Sequence, residues 1–367
     1  MESWDIICIS REEVAGVPKM KHVGQILAVA CVYVGTVVGA GYATGQEIYF
    51  FFARYSWAGL IGGCLSGALF ATLGALVLHR MCSRGMKQYN EVLESICGRR
   101  TAWMIEGFSF LFLFFVLAIV LAGAGATAFE QWGIDYHVGV LAAAVSVFLL
   151  ACTNMRGVLI AQSVLVPFLV AAMFALALRH LLGEEFSWGR LLGSEISWPL
   201  WGMSIVSALL YVSYNFVGAM MALIALGREL EPTAAWLAGA LGGLILGVLA
   251  MVVTSALLTD PVQLQHYEVP MGQLARVYGG WWPWIYGISL WIALVTTGIS
   301  AIFALIDRLN KTLHTQNPWC GVLILLACIP LTAGGFSKLV QWIYPLSGLL
   351  GLWLVACILR GAWRVKC

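Results

Sequence analysis

Apolar stretches long enough to cross ~30 Å of hydrocarbon as helices, about 20 residues each, follow one another along almost the whole chain. Ten can be marked, at 23–54, 57–79, 102–129, 137–153, 158–181, 200–226, 234–258, 282–306, 319–333 and 339–359. Of the 367 residues 61% are hydrophobic and 10% charged, against ~25% charged in a soluble domain. That much apolar surface cannot be buried in one water-soluble core, so lipid must solvate it. The expected fold class is an all-α polytopic membrane protein of ten transmembrane helices.

Composition also removes several function classes. The net charge is +2 with no basic block, so the concentrated positive face that phosphate binding needs is missing and nucleic acid is not an expected partner. The 10 cysteines form no CxxC pair and read as small buried hydrophobes. The 6 histidines cluster near span ends without HExxH spacing. With no Walker motif and no convergent nucleophile and base, an enzyme is not expected. A channel lacks a charged or carbonyl selectivity ring.

Charge asymmetry orients the chain. With the N-terminus inside, only Arg54, Arg179, Arg190, Arg276 and Lys338 of the 20 Lys and Arg fall outside. Both termini are therefore expected in the cytoplasm, with the chain in the plasma membrane. Residues 1–21 contain Glu2, Asp5, Glu12 and Glu13, and their one apolar run is too short for a signal h-region. They read as a disordered cytoplasmic extension. Two five-helix halves, 22–182 and 198–360, precede a cytoplasmic tail at 361–367. The external stretch 260–280 has the composition of a short amphipathic helix over an outer vestibule, and Glu130 falls at a span end, solvated or paired.

The first span cannot be one simple helix. Between Tyr33 and Glu47 it carries Gly35, Gly39, Gly41 and Gly45 among β-branched residues, and each Gly costs ~1 kcal/mol relative to Ala. Close packing through Gly35/Gly39 or Gly41/Gly45 would explain the glycines but not Glu47, an acid inside a span. A local unwinding is expected here. Span six has a matching stretch from Tyr211 to Ala219, in which Tyr211-Val212 echoes Tyr33-Val34 and Val217-Gly218-Ala219 echoes Val38-Gly39-Ala40. With five spans per half, the second half enters from the opposite face. This predicts a 5+5 inverted repeat with discontinuous helices 1 and 6, an arrangement that places a solute site at the bilayer midplane.

The word from Val38 to Glu47, Val-Gly-Ala-Gly-Tyr-Ala-Thr-Gly-Gln-Glu, followed by aromatic Tyr49 to Phe52, resembles the YkvI-type amino-acid permeases, distant relatives of the amino acid–polyamine–organocation superfamily with its LeuT fold. The resemblance implies a Na⁺ site. The family's Gly-x-x-Val-Gly-x-Gly matches Gly35, Val38, Gly39 and Gly41, and its Ala-x-x-(Thr/Ser)-(Thr/Ser) matches Ala293, Thr296 and Thr297. Carbonyls of Gly35, Val38 and Ala293 with hydroxyls of Thr296 and Thr297 would then cage the ion, a neutral oxygen set suited to a hard cation. Tyr42 stands where a second sodium would need Asn, and span five has no lysine to replace the ion.

An amino-acid substrate would place its carboxylate on amides of Val37, Ala40 and Gly41, at a helix end. Its amino group would meet segment 6, with Ser213 and Asn215 as partners and Tyr211, Tyr214 and Phe216 shaping the pocket. For Glu47 three roles compete: outer-gate partner, proton-coupling carboxylate, or cap on the second half-helix. The expected function is sodium-coupled symport of an amino acid or related zwitterion by alternating access. A proton-coupled permease and a transporter-fold ligand sensor with little flux are the alternatives.

Overall fold

The computed structural model describes residues 22–86, 89–151, 155–183, 198–227, 230–259, 264–313 and 319–363; the expected N-terminal extension lies outside them. The described residues are helical throughout their regular elements. In chain order these are α1 His22–Val37, α2 Ala40–Thr44, α3 Gln46–Phe51, a 3₁₀ turn Ala53–Tyr55, α4 Ala58–Arg84, α5 Tyr89–Cys97 and α6 Arg99–Trp132. There follow α7 Tyr136–Ala151, α8 Met155–Leu181, α9 Trp198–Leu226, α10 Pro232–Leu257, α11 Pro270–Val277, α12 Trp282–Leu313, α13 Trp319–Thr332 and α14 Phe336–Trp363.

Six of these helices are long and apolar enough to cross a membrane, and four shorter apolar helices stand at 23–37, 136–151, 166–181 and 320–332. Only 39 to 61% of each long apolar window is buried in the protein. The rest of that surface, including Leu244 and Leu349, and exposed leucines of the shorter helices such as Leu141, Leu149 and Leu326, would be a severe liability in water and is suited to acyl chains. The chain is an integral multi-pass membrane protein. The amphipathic helix expected in the loop before α12 is α11.

The first span is interrupted twice. Val38 N–H closes α1 onto Val34 O at 2.8 Å, and Gly39 N–H turns back to Val37 O at 2.8 Å. Gly39 is extended (φ −83°, ψ −172°), and α2 lasts five residues before Gly45 adopts a left-handed conformation (φ 81°). Positive φ is where Gly is favoured over any side chain.

Span six corrects the expectation. α9 is one uninterrupted helix through Tyr211, Ser213, Asn215 and Gly218. Its polar side chains bond back to the helix's own carbonyls and leave the backbone ladder closed. Ser213 donates to Leu210 O at 2.9 Å, and the Asn215 amide donates to Tyr211 O at 3.1 Å. With Gly218 alone as a weak former, the cost of ~1 kcal/mol is readily outweighed by packing. The echo between the two spans is one of words, not of backbone.

The closest helix pair is α4 with α10, joined through small residues. A Cβ on Gly243 would lie 2.0 Å from Ala71 N, one on Gly239 2.3 Å from Gly74 C, and one on Gly67 2.5 Å from Gly247 Cα. Gly239, Gly243 and Gly247 repeat every four residues, so one face of α10 lies backbone to backbone on α4. Around this seam α9 packs on α4 and α14, α1 on α10, and α12 on α6; α2 and α3 are gripped between α9, α11, α12 and α14.

Candidate functional site

At the broken end of the first span a carboxylate is buried without a cation. Glu47, in the first turn of α3, is 3% exposed. Its Oε1 accepts a hydrogen bond from the Tyr214 hydroxyl and one from the Asn215 amide at 3.2 Å. Both donors come from α9, so the acid reaches across the fold and bridges two spans; it does not serve as a cap for its own helix. Oε2 lies over α2, where a Cβ at residue 41 would sit 2.6 Å from it and 3.1 Å from the Tyr344 hydroxyl. Gly41 is what lets the acid approach the backbone.

Aromatic rings close around this group. Tyr344, from α14, stacks on Tyr214 with centroids 4.7 Å apart and planes at 21°, while Phe51 and Phe112 pack 5.6 and 6.4 Å from Tyr214. The hydroxyls of Tyr42 and Tyr211 and the Oε1 of Gln46 are buried with no hydrogen-bond partner. An unmet buried polar group costs ~1–3 kcal/mol, so each of these calls for a reason. Among the described residues no Lys or Arg is buried. A buried carboxylate so placed must be met by a proton or an arriving cation, since desolvating it alone costs several kcal/mol.

The far side of the site, away from the start of α1, is sealed. On the far side from the start of α1, Thr44, Gln46, Met271 and Tyr286 are buried, and α11 packs on the α2–α3 junction. Tyr286 donates to Ala43 O, fixing α2 to α12. Towards the near side, Asn215 is half-buried and Gly218 exposed, and a Cβ at Gly39 or Gly218 would meet nothing within 4 Å.

Several expected residues converge here and others do not. Gly41, Tyr211, Tyr214, Asn215 and Glu47 come together. Ala40 and Gly41 open α2, so their N–H groups precede any helical partner. Val37 does not join them, because it closes α1 and its N–H belongs to that helix. Ser213 faces α14, its hydroxyl 2.7 Å from Gly348 O, and Phe216 packs edge-on against Tyr33 at 6.4 Å; both secure α9 outside the Glu47 cluster. Tyr42, Gln46, Tyr286 and Tyr344 were not singled out as site residues. Their signal was a polar atom within an apolar run, as with Tyr344 before Pro345, which aromatic packing also explains.

Of the sodium set, Thr296 and Thr297 both donate to Ala293 O, at 3.0 and 2.8 Å. The turn of Gly39 N–H to Val37 O takes away the donor that would normally meet Gly35 O. All five atoms are neutral oxygens, and a hydroxyl that has spent its proton on a carbonyl still has lone pairs for a cation. Neutral oxygens are the kind of donor a hard cation takes.

No protein-family model matches the sequence. Over 338 residues, 92% of this chain and 96% of the relative, it is 27% identical to the uncharacterized membrane protein YkvI of Bacillus subtilis (strain 168). Over 331 residues, 89% of this chain and 93% of the relative, it is 27% identical to YyaD of the same organism, also uncharacterized. Among solved structures it is similar to the Eremococcus coleocola manganese transporter bound to an aromatic bis-isothiourea compound, with TM-score 0.59, 15% identity, and 91% and 78% of the two chains covered. It is also similar to MhsT in complex with L-phenylalanine, with TM-score 0.56, 16% identity, and 90% and 88% covered. The fold is thus that of LeuT-type transporters.

Proposed function

We propose that this protein is a secondary transporter that carries an amino acid or related small zwitterion by alternating access, coupled to Na⁺. The observation that carries the reading is the broken first span, with a carboxylate buried beside the break and the far side packed shut. A chamber of this kind, reached from alternate sides in turn, is what a carrier needs. The Lys and Arg distribution supports a plasma-membrane location with cytoplasmic termini, so the sealed side faces outward. The α4–α10 seam joins the second span of each half, in keeping with a 5+5 repeat.

In this reading the amides of Ala40 and Gly41 receive the substrate carboxylate, with the helix end adding favourable polarity. Gly35, Val38, Ala293, Thr296 and Thr297 would hold Na⁺, which would supply binding energy drawn from its gradient. Proton coupling is the second reading, favoured by Glu47, whose burial without a cation makes it a natural proton carrier. The test is amino-acid uptake into proteoliposomes with and without an inward Na⁺ gradient, for the native chain and for Thr296→Ala and Thr297→Ala. Uptake driven by Na⁺ and lost in both variants is expected. Uptake that ignores the gradient and both substitutions refutes sodium coupling, and absence of uptake for every amino acid refutes the carrier.

A further inference from the structure

The acceptor for the amine end of the solute must be sought elsewhere than in α9's backbone. Because α9 is unbroken through Asn215, its carbonyls are already engaged in helical hydrogen bonds, and its side chains are the first partners it offers a substrate ammonium. What α9 offers at this level is Tyr211, Tyr214 and Asn215, and the last two already converge on Glu47.

We propose that Glu47, with the rings and hydroxyls of Tyr42, Tyr211, Tyr214 and Tyr344, is the receptor for the ammonium group of the carried solute, which makes that solute a primary amine. The inference rests on the transport reading for its setting, but binding alone tests it. Three independent features support it. The carboxylate has neutral donors only, so a cationic ligand would complete it. The Tyr42 and Tyr211 hydroxyls are buried and unmet, and the Tyr211 ring lies 5.9 Å from that of Tyr214, which donates to Glu47. Oxygen acceptors and π-faces together around one carboxylate suit an N–H⁺ group, which takes directed hydrogen bonds and is attracted to aromatic faces.

The experiment is ligand binding to the purified full chain in detergent, read as thermal stabilisation and as Kd by calorimetry. The probes are the twenty proteinogenic amino acids; for the strongest binder, its decarboxylated amine and its deaminated acid follow. The amine is expected to retain measurable binding and the acid to lose it. Glu47→Gln is expected to weaken the amino acid by about 10- to 100-fold, as for a charged hydrogen bond lost. Tyr42→Phe and Tyr211→Phe, which remove single oxygens, are expected to weaken it several-fold, and they decide the matter if Glu47→Gln fails to fold. The inference is overturned if no amino acid binds, if the acid binds as well as the amine, or if affinity is unchanged either in Glu47→Gln or in both tyrosine variants. Amine binding without flux in proteoliposomes leaves the receptor standing and removes the transport reading alone.

Discussion

Gly45 joins the two short helices of the broken span, and its replacement should prise open the sealed side. Two costs arise in Gly45→Ala. A residue with a Cβ at φ 81° pays ~1–2 kcal/mol for the left-handed conformation, whatever α11 does. The new Cβ would also stand 2.6 Å from Met271 Cγ, 3.1 Å from Met271 N and 3.3 Å from Met271 Cβ. The Cγ can swing away, but the main-chain nitrogen can retreat only if α11 moves. Overpacking of this kind costs ~1–3 kcal/mol, and it is relieved when α11 lifts. Only this second cost distinguishes the two states, so the lifted form should gain by about 5- to 150-fold in population.

The assay introduces Ala43→Cys, at a position 0% exposed, and measures its modification by a membrane-impermeant thiol reagent, resolved from the native cysteines by peptide mass spectrometry. Gly45→Ala should speed labelling within that range. Gly133→Ala serves as the control, because it has φ 70° but nothing within 4 Å of its Cβ; it should lower stability and leave labelling unchanged. Equal labelling rates with and without Gly45→Ala would show that Met271 does not hold the seal.

Two further outcomes follow from the packing and the loops. Gly243→Ala drives a Cβ to 2.0 Å from Ala71 N, where both partners are backbone. It should destabilise by roughly 1–3 kcal/mol, whereas Gly107→Ala, with no atom within 4 Å, should be neutral or stabilising by up to ~1 kcal/mol. Thiol-reactive dye melts, which report exposure of buried Cys320 and Cys328, will order the two, and the reverse order would sink the seam. Glu268, in the loop before α11, accepts Phe336 N–H at 3.1 Å. Burial raises its pKa above the ordinary 4.5, partly offset by the Phe336 and Ser337 amides and by Lys338. Its folded value therefore exceeds the unfolded one, and its contribution is present below about pH 4.5 and lost as pH rises through the raised value. Melting profiles of the native chain and Glu268→Gln should diverge over that interval, the native chain losing ground as pH rises; parallel profiles would refute the assignment.

What can be read along the chain follows from short-range physics. Uninterrupted apolar runs dictate helices in lipid wherever they are long enough, and the clustered glycines from Gly35 to Gly45 weaken one helix whatever surrounds it. Both are properties of consecutive residues, which is why the apolar helices and the first break were legible. The amphipathic α11 was legible for the same reason.

Tertiary structure decided the rest, because it turns on which faces meet. Tyr211 to Ala219 looks like a second break when read as a word, yet packing against α4 and α14 holds it helical. Ser213 was expected to meet substrate, and its rotation about α9 instead delivers it to Gly348. Glu47 stands beside a helix start in sequence, but the acid crosses to α9 because Gly41 leaves room and Tyr214 stands opposite. Sequence alone settled that this chain lives in lipid and that its first span fails near Gly39. Only the packing of α9 and α14 settled where the buried charge would find its partners, since a side chain's direction is set by the helix beneath it and the neighbours around it.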